Sequence, residues 1–194
     1  MQAFDLIEPT AWRTQPWANG AGVTHEIARW GDGDAYDARL SVAELTARSP
    51  FSRFAGYDRW LAPDGEVTLH LPDGPRRLAR GEALSFAGEL DVTGEPAAPT
   101  WELNVMVRRG VEWWAEIITG RAQRVTRAGV MALFAFGDGV GVDAAGQRLV
   151  VPARATLLAT SATGFALTLR GRSTARVALI HLGLAPPGGV VGPR

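Results

Sequence analysis

The chain has 194 residues, 20 acidic and 20 basic, so its formal net charge is zero and it offers no basic footprint for nucleic acid or an anionic membrane surface. It contains no cysteine, which excludes thiol nucleophiles, disulfides and thiolate metal sites. All 20 basic residues are arginine, which excludes Schiff-base lysine chemistry and the phosphate-loop lysine but keeps a side chain suited to bidentate grip on a carboxylate.

The start, Met1-Gln2-Ala3-Phe4-Asp5, shows no basic segment followed by an apolar one, so no signal peptide is read there and a cytoplasmic protein is expected. No apolar run approaches the ~20 residues of a membrane span. The 23 glycines and 12 prolines punctuate short alternating runs, the pattern of an all-β sandwich or barrel. Val23 to Trp30 is the first strand expected, after the turn Asn19-Gly20-Ala21-Gly22. Tyr36 to Leu45 follows, then Arg59 to Leu61 and Val67 to Leu71 around Asp64-Gly65. Leu84 to Phe86 and Glu102 to Arg108 close the first half. The second half holds Trp113 to Ile118, Met131 to Phe136, Gln147 to Val151, Thr156 to Thr160, Phe165 to Arg170 and Arg176 to Leu182. From Pro186 to Arg194 the Pro/Gly-rich tail reads as disordered.

Turns and strands recur at an offset of about 73 residues: Gly56 with Gly129, Gly74 with Gly146, Leu84 with Leu157, Val105 with Val177. Such a period is too long for a solenoid and fits a duplicated small β-barrel. The expected domains are residues 1–110, residues 111–185 and the tail. Arg59 meets Ala132 at this offset, and the second half's strands are richer in leucine, so the polar cargo is expected in the first half.

Residues two apart in a strand share a face. This groups Thr24 with Glu26, Arg39 with Ser41, and Glu102 with Asn104 and Met106. Such groups on one barrel interior would require partners, a ligand among them. The three histidines, His25, His70 and His181, are isolated in sequence, and His25 falls on the face opposite Thr24 and Glu26; no metal is expected. Gly20-Ala21-Gly22 is followed by a strand pattern, so no helix N-terminus cradles phosphate there. Trp17 is a candidate for a pocket mouth.

Four segments in order, Trp17 to Ile27, Arg39-Leu40-Ser41, Pro50 to Arg59 and Glu102 to Arg109, resemble the HutD/Ves family. The resemblance implies a bicupin, two tandem jelly-roll-like β-barrels in one chain. It implies a bacterial protein tied to histidine utilisation, a regulatory ligand binder with no cofactor and no catalytic residue. The implied pocket positions are Asn19, Thr24, Glu26, Arg39, Arg59 and Asn104. Two departures stand out: Ala21 replaces the middle of three glycines, and Glu102 stands where the family has aspartate. The expected partner is a small carboxylate metabolite, urocanate or formylglutamate, held by Arg59 or Arg39, with Asn104 and Thr24 hydrogen bonding and Glu26 orienting an arginine; nucleic acid and membrane are not expected, and a homodimer is left open. Two alternatives stand beside it: a cupin enzyme acting on a small carboxylate, either metal-free with Glu26 as general base or with an atypical metal site at His25 or His70, and a structural partner with no ligand.

Overall fold

The computed structural model describes residues 4–17, 22–31, 33 and 35–184; Asn19 and the expected disordered tail lie outside them. Among these residues the chain forms strands throughout and no α-helix, so no helix is long and apolar enough to cross a membrane. In chain order the strands are β1 (Phe4–Ile7), β2 (Arg13–Pro16), β3 (Val23–Trp30), β4 (Ala38–Leu45), β5 (Ser49–Pro50), β6 (Tyr57–Pro63), β7 (Val67–Leu71), β8 (Gly74–Leu78), β9 (Leu84–Ala87), β10 (Thr93–Pro96) and β11 (Thr100–Arg108). They continue as β12 (Trp113–Thr119), β13 (Arg121–Val125), β14 (Gly129–Ala135), β15 (Val140–Ala144), β16 (Gln147–Val151), β17 (Thr156–Ser161), β18 (Ala166–Arg170) and β19 (Arg176–Leu182).

Two compact units result. Of the described residues, 12–110 form one, and 4–11 with 111–184 form the other. Residues 4–11 therefore do not join the barrel to which the expected 1–110 domain assigns them. Instead β1 pairs antiparallel with β17, Phe4 opposite Ala159 and Ile7 opposite Thr156. Its anchor is Phe4, which packs on that unit's core and edge-on against Phe165 at 5.8 Å. A four-residue strand with two exposed side chains carries no signal for which sheet it joins.

The unit of residues 12–110 packs a six-stranded sheet, β2-β3-β4-β11-β6-β9, on a four-stranded one, β5-β10-β7-β8. Leu45, Leu61, Val67, Leu69, Leu78, Phe86 and Val92 fill the space between them. The register sets which side chains face inward. Arg39 and Ser41 of β4 lie opposite Met106 and Asn104 of β11, and Arg59 and Leu61 of β6 lie opposite the same two residues. Side chains directly opposite in an antiparallel pair share a face, so Arg39, Ser41, Arg59, Glu102 and Asn104 project from the inner face that also carries Leu61. A bulge between Glu26 and Ala28 interrupts β3: Glu26 is opposite Ser41, but Ala28 is opposite Leu40. The extra residue, Ile27, is buried and the strand's alternation shifts there.

The other unit packs β1-β17-β14-β19-β12 on β13-β18-β15-β16. Its interior is mainly hydrocarbon: Met131, Leu133 and Ala135 of β14 meet Val142, Leu167 and Leu169, and buried His181 lies opposite Met131 on the same face. Ala132, matched to Arg59 by the repeat offset, points to the opposite face and pairs across to Leu158 and Ile180. Turn spacing places a repeat only to within a residue, and a one-residue slip exchanges the faces of a strand. The inward positions of β14 are apolar in either register.

Candidate functional site

In the unit of residues 12–110, the inner ends of β2, β3, β4, β6 and β11 and the segment 50–54 enclose a pocket of about 290 Å³. Arg59 is its deepest cation, 6% exposed. Its guanidinium packs against the rings of Phe86 at 5.1 Å, Phe51 at 5.2 Å and Phe54 at 5.8 Å. Gly94 makes room for one of these rings, since a Cβ there would stand 2.7 Å from Phe51 Cζ. Arg59 Nη2 donates to Asn104 Oδ1 at 2.9 Å and Nη1 to the Ser52 carbonyl at 3.3 Å. Burial holds the Arg59 pKa down, to about 10, against the raising effect of Glu102. The group is still a cation at neutral pH.

Asn104 links this cation to an acid. Arginine can only donate, so the amide presents Oδ1 to Arg59 and Nδ2 to the other side, where Nδ2 donates to Glu102 Oε1 at 3.2 Å. Glu102 is 1% exposed. Burial pushes its carboxyl up to about 7, opposed by the Asn104 hydrogen bond and the charge of Arg59.

Arg39 reaches the pocket from β4, its Nη2 against Met106 Sδ at 3.4 Å and its guanidinium over the rings of Phe54 at 5.6 Å and Tyr36 at 5.7 Å. Among the described residues it has no carboxylate within ion-pair distance. Thr24 lines the wall and accepts from Trp17 Nε1 at 2.7 Å. Replacing Thr24 by valine removes that acceptor at constant shape. The expected result in a denaturant titration is a loss of about 1 kcal/mol, with ligand contacts deeper in the pocket left in place.

Of the residues expected at the site, Thr24, Arg39, Arg59 and Asn104 line this one pocket. Glu26 does not line it. Its carboxylate pairs with Arg29 at 3.5 Å, beyond the bulge, so the arginine it orients lies outside the pocket. Glu102, Ser41, Phe51 and Phe54 also line it and are not among the positions the sequence singles out. Glu102 and Ser41 are legible as same-face neighbours of Asn104 and Arg39; the phenylalanines come from a loop whose direction no periodicity reveals.

The histidines lie elsewhere. His25 sits on the outer face of β3, bonded to Thr14 Oγ1 at 2.9 Å and stacked on Trp101 at 5.6 Å. His70 pairs with Glu95 at 2.7 Å. His181, in the other unit, meets the Ala128 carbonyl at 3.0 Å. Among the described residues no three His, Asp or Glu side chains come together as a metal site.

Four residues that line the pocket each carry a buried polar atom with no hydrogen-bond partner within the protein: Arg39 Nε, Ser41 Oγ, Arg59 Nε and Glu102 Oε2. Each such atom costs about 1–3 kcal/mol unless something satisfies it. Two guanidiniums against one carboxyl leave the site electropositive, and the rings of Trp17, Phe51 and Phe54 form part of its wall. The arrangement is suited to an anion with oxygen acceptors and a small carbon skeleton.

The HutD family profile matches residues 10–178. An uncharacterised 21.2 kDa protein in the hutC 3′ region of Pseudomonas putida is 30% identical over 160 residues, covering 77% of this chain and 82% of that protein. The crystal structure of a conserved protein of Pseudomonas aeruginosa superposes with a TM-score of 0.85 at 27% identity, covering 94% of this chain and all 100% of that one. The structure of HutD from Pseudomonas fluorescens superposes at 0.80 with 23% identity, over 93% of this chain and 98% of that one. The shared fold, two tandem cupin-type barrels, is a bicupin.

Proposed function

Because the chain belongs to the HutD family, we propose that it binds a carboxylate-bearing intermediate of histidine breakdown, urocanate or formylglutamate, and couples that binding to the control of histidine utilisation. The observation that carries this reading is the convergence, in the lining of one pocket, of four residues that each carry an unpartnered buried polar atom, two of them arginines. A relative encoded beside hutC supports the pathway. The pocket's size, near the lower end of the ~300–1,000 Å³ usual for ligand sites, suits a small metabolite. One charged hydrogen bond contributes about 1.5–3 kcal/mol, so two arginines with burial of the skeleton suit a micromolar Kd, about −8 kcal/mol. Titration calorimetry with both metabolites tests the reading: saturable one-to-one binding is expected, and no heat with either compound sinks it.

A cupin enzyme acting on a small carboxylate is the second reading. Glu102 favours it, as a buried carboxyl poised near neutrality in the pocket; Glu26, paired with Arg29, is out of reach for that role. Proton NMR of each metabolite incubated with the protein separates the two: an unchanged spectrum with saturable binding supports the binder, and new resonances support the enzyme.

A further inference from the structure

We infer that Glu102 is the third donor of the anion site: it meets the ligand's carboxylate in its protonated form, so that binding takes up one proton. This rests on the reading that the pocket takes a carboxylate. Asn104 sets the geometry. Its amide cannot turn over, because Arg59 has no acceptor to offer Nδ2. Glu102 Oε1 is therefore committed as an acceptor of Asn104 Nδ2 at 3.2 Å. When Glu102 carries a proton, that proton belongs on Oε2, the oxygen with no partner within the protein. Oε2 then adds a donor to those of Arg39 and Arg59 in the same pocket.

The ionised form of Glu102 does the opposite. It would aim lone pairs and a negative charge at an incoming carboxylate, and two like-charged carboxyls sharing a site cannot both ionise cheaply. The groups around Glu102 do not offset this. From β6 comes Arg59, bonded to Asn104 and outside ion-pair distance of the acid. From β4 come Arg39 and neutral Ser41; from β3, Thr24; from β2, Gln15. Glu26 is held by Arg29, and Tyr36 lies over Arg39. A bound anion offsets the charge of both arginines, which leaves Glu102 with less positive charge to hold its own ionised form. Burial alone already raises its carboxyl, and the anion raises it further.

The test is calorimetry of the full chain with formylglutamate, whose carboxyls are ionised and whose formamide does not titrate across pH 5.5–8.5. For the native chain the affinity is expected to be flat below about pH 6.5 and to fall about tenfold by pH 8. Titrations in phosphate and in Tris, which differ in ionisation enthalpy, should report uptake approaching one proton per ligand at pH 8 and near zero at pH 5.5. Glu102→Gln keeps a donor at that position; it should bind with no pH slope, at the native chain's affinity near pH 6. Binding with a flat profile and no proton uptake overturns the role of Glu102 and leaves the pocket's function standing. A slope that persists in Glu102→Gln overturns it as well. Absence of binding at every pH overturns both.

Discussion

Arg59→Ala is expected to weaken ligand binding by about thirtyfold or more while leaving the chain folded. Removing one partner of a buried charged pair costs about 2–5 kcal/mol in affinity, on the order of thirtyfold to several thousandfold. Three losses coincide at this residue. The deepest cation of the pocket goes. Asn104 Oδ1 loses its donor, so the amide no longer fixes which oxygen of Glu102 faces the ligand. The faces of Phe51, Phe54 and Phe86 lose the planar group they pack against. Arg39→Ala should cost less, since Arg39 is only half-buried and its side-chain hydrogen bond goes to Met106 Sδ rather than to another polar residue of the pocket. Arg59→Lys should stay close to the alanine variant, because an ammonium cannot bond Asn104 and the Ser52 carbonyl with one flat fork. Calorimetric affinities for Arg59→Ala within threefold of the native chain would remove Arg59 from the site.

The second large effect is a gain. Arg59→Met combined with Asn104→Leu and Glu102→Leu, which removes the buried amide along with both of its partners, should raise the unfolding free energy by about 1–4 kcal/mol and eliminate binding. Both ionisable groups are held at a cost: burial lowers the pKa of one and raises that of the other. Replacing buried charges by hydrocarbon of similar volume is commonly neutral or stabilising. The single variants should differ. Glu102→Leu leaves a lone buried guanidinium and should destabilise, whereas Arg59→Met leaves an acid that can remain neutral. The pH dependence gives a second check, with its sign set by Glu102. In the unfolded chain this acid loses its proton near pH 4.5, but the folded chain keeps it up to about pH 7. Folded protein therefore binds more protons across that window, and stability falls as pH rises through it. The fall is about 1.4 kcal/mol per pH unit, roughly 3 kcal/mol in all. Denaturant titrations at pH 5 and pH 7.5 should show this decline in the native chain and its absence in the triple variant. Equal declines in the two proteins would place the titrating group elsewhere.

Legibility in the sequence tracks which interactions are local. Strands bounded by clear turns and rich in alternating apolar residues are readable to the residue: Val67–Leu71, Gln147–Val151 and Arg176–Leu182. The unread strands β1, β2, β5, β8, β10, β13 and β15 are short, and several are edge strands whose composition hides them. In β2 all four side chains are exposed, and β8 is Gly-Pro-Arg-Arg-Leu. Glycine, proline and arginine at an edge discourage pairing with other chains, and the same residues erase the strand signal. Within the pocket, period-two spacing is enough to group Arg39 with Ser41 and Asn104 with Glu102. It groups Glu26 with Thr24 correctly, since Glu26 lies opposite Ser41, but it does not reveal that the Glu26 carboxylate pairs with Arg29 across the bulge. Family resemblance singles out Arg59 and Asn104, but it does not reveal that Asn104 ties Arg59 to Glu102. That link depends on two neighbouring strands meeting in one register.

The origin of the pocket's walls divides selectivity from grip. Arg39, Arg59, Glu102 and Asn104 stand on three adjacent, fully paired strands, β4, β11 and β6, and supply the charged and amide groups of the pocket. Phe51 and Phe54 stand on the connection between β5 and β6, outside any strand. The Phe51 and Phe54 N–H groups bond the Val92 and Gly88 carbonyls, so the loop is held in place while its side chains belong to no ladder. On the proposed reading, exchanging those rings for smaller or polar side chains would change which carbon skeleton is admitted while the groups on the sheet stay in place. One scaffold can in this way be retuned from a flat unsaturated acid to a flexible saturated one by a handful of loop substitutions.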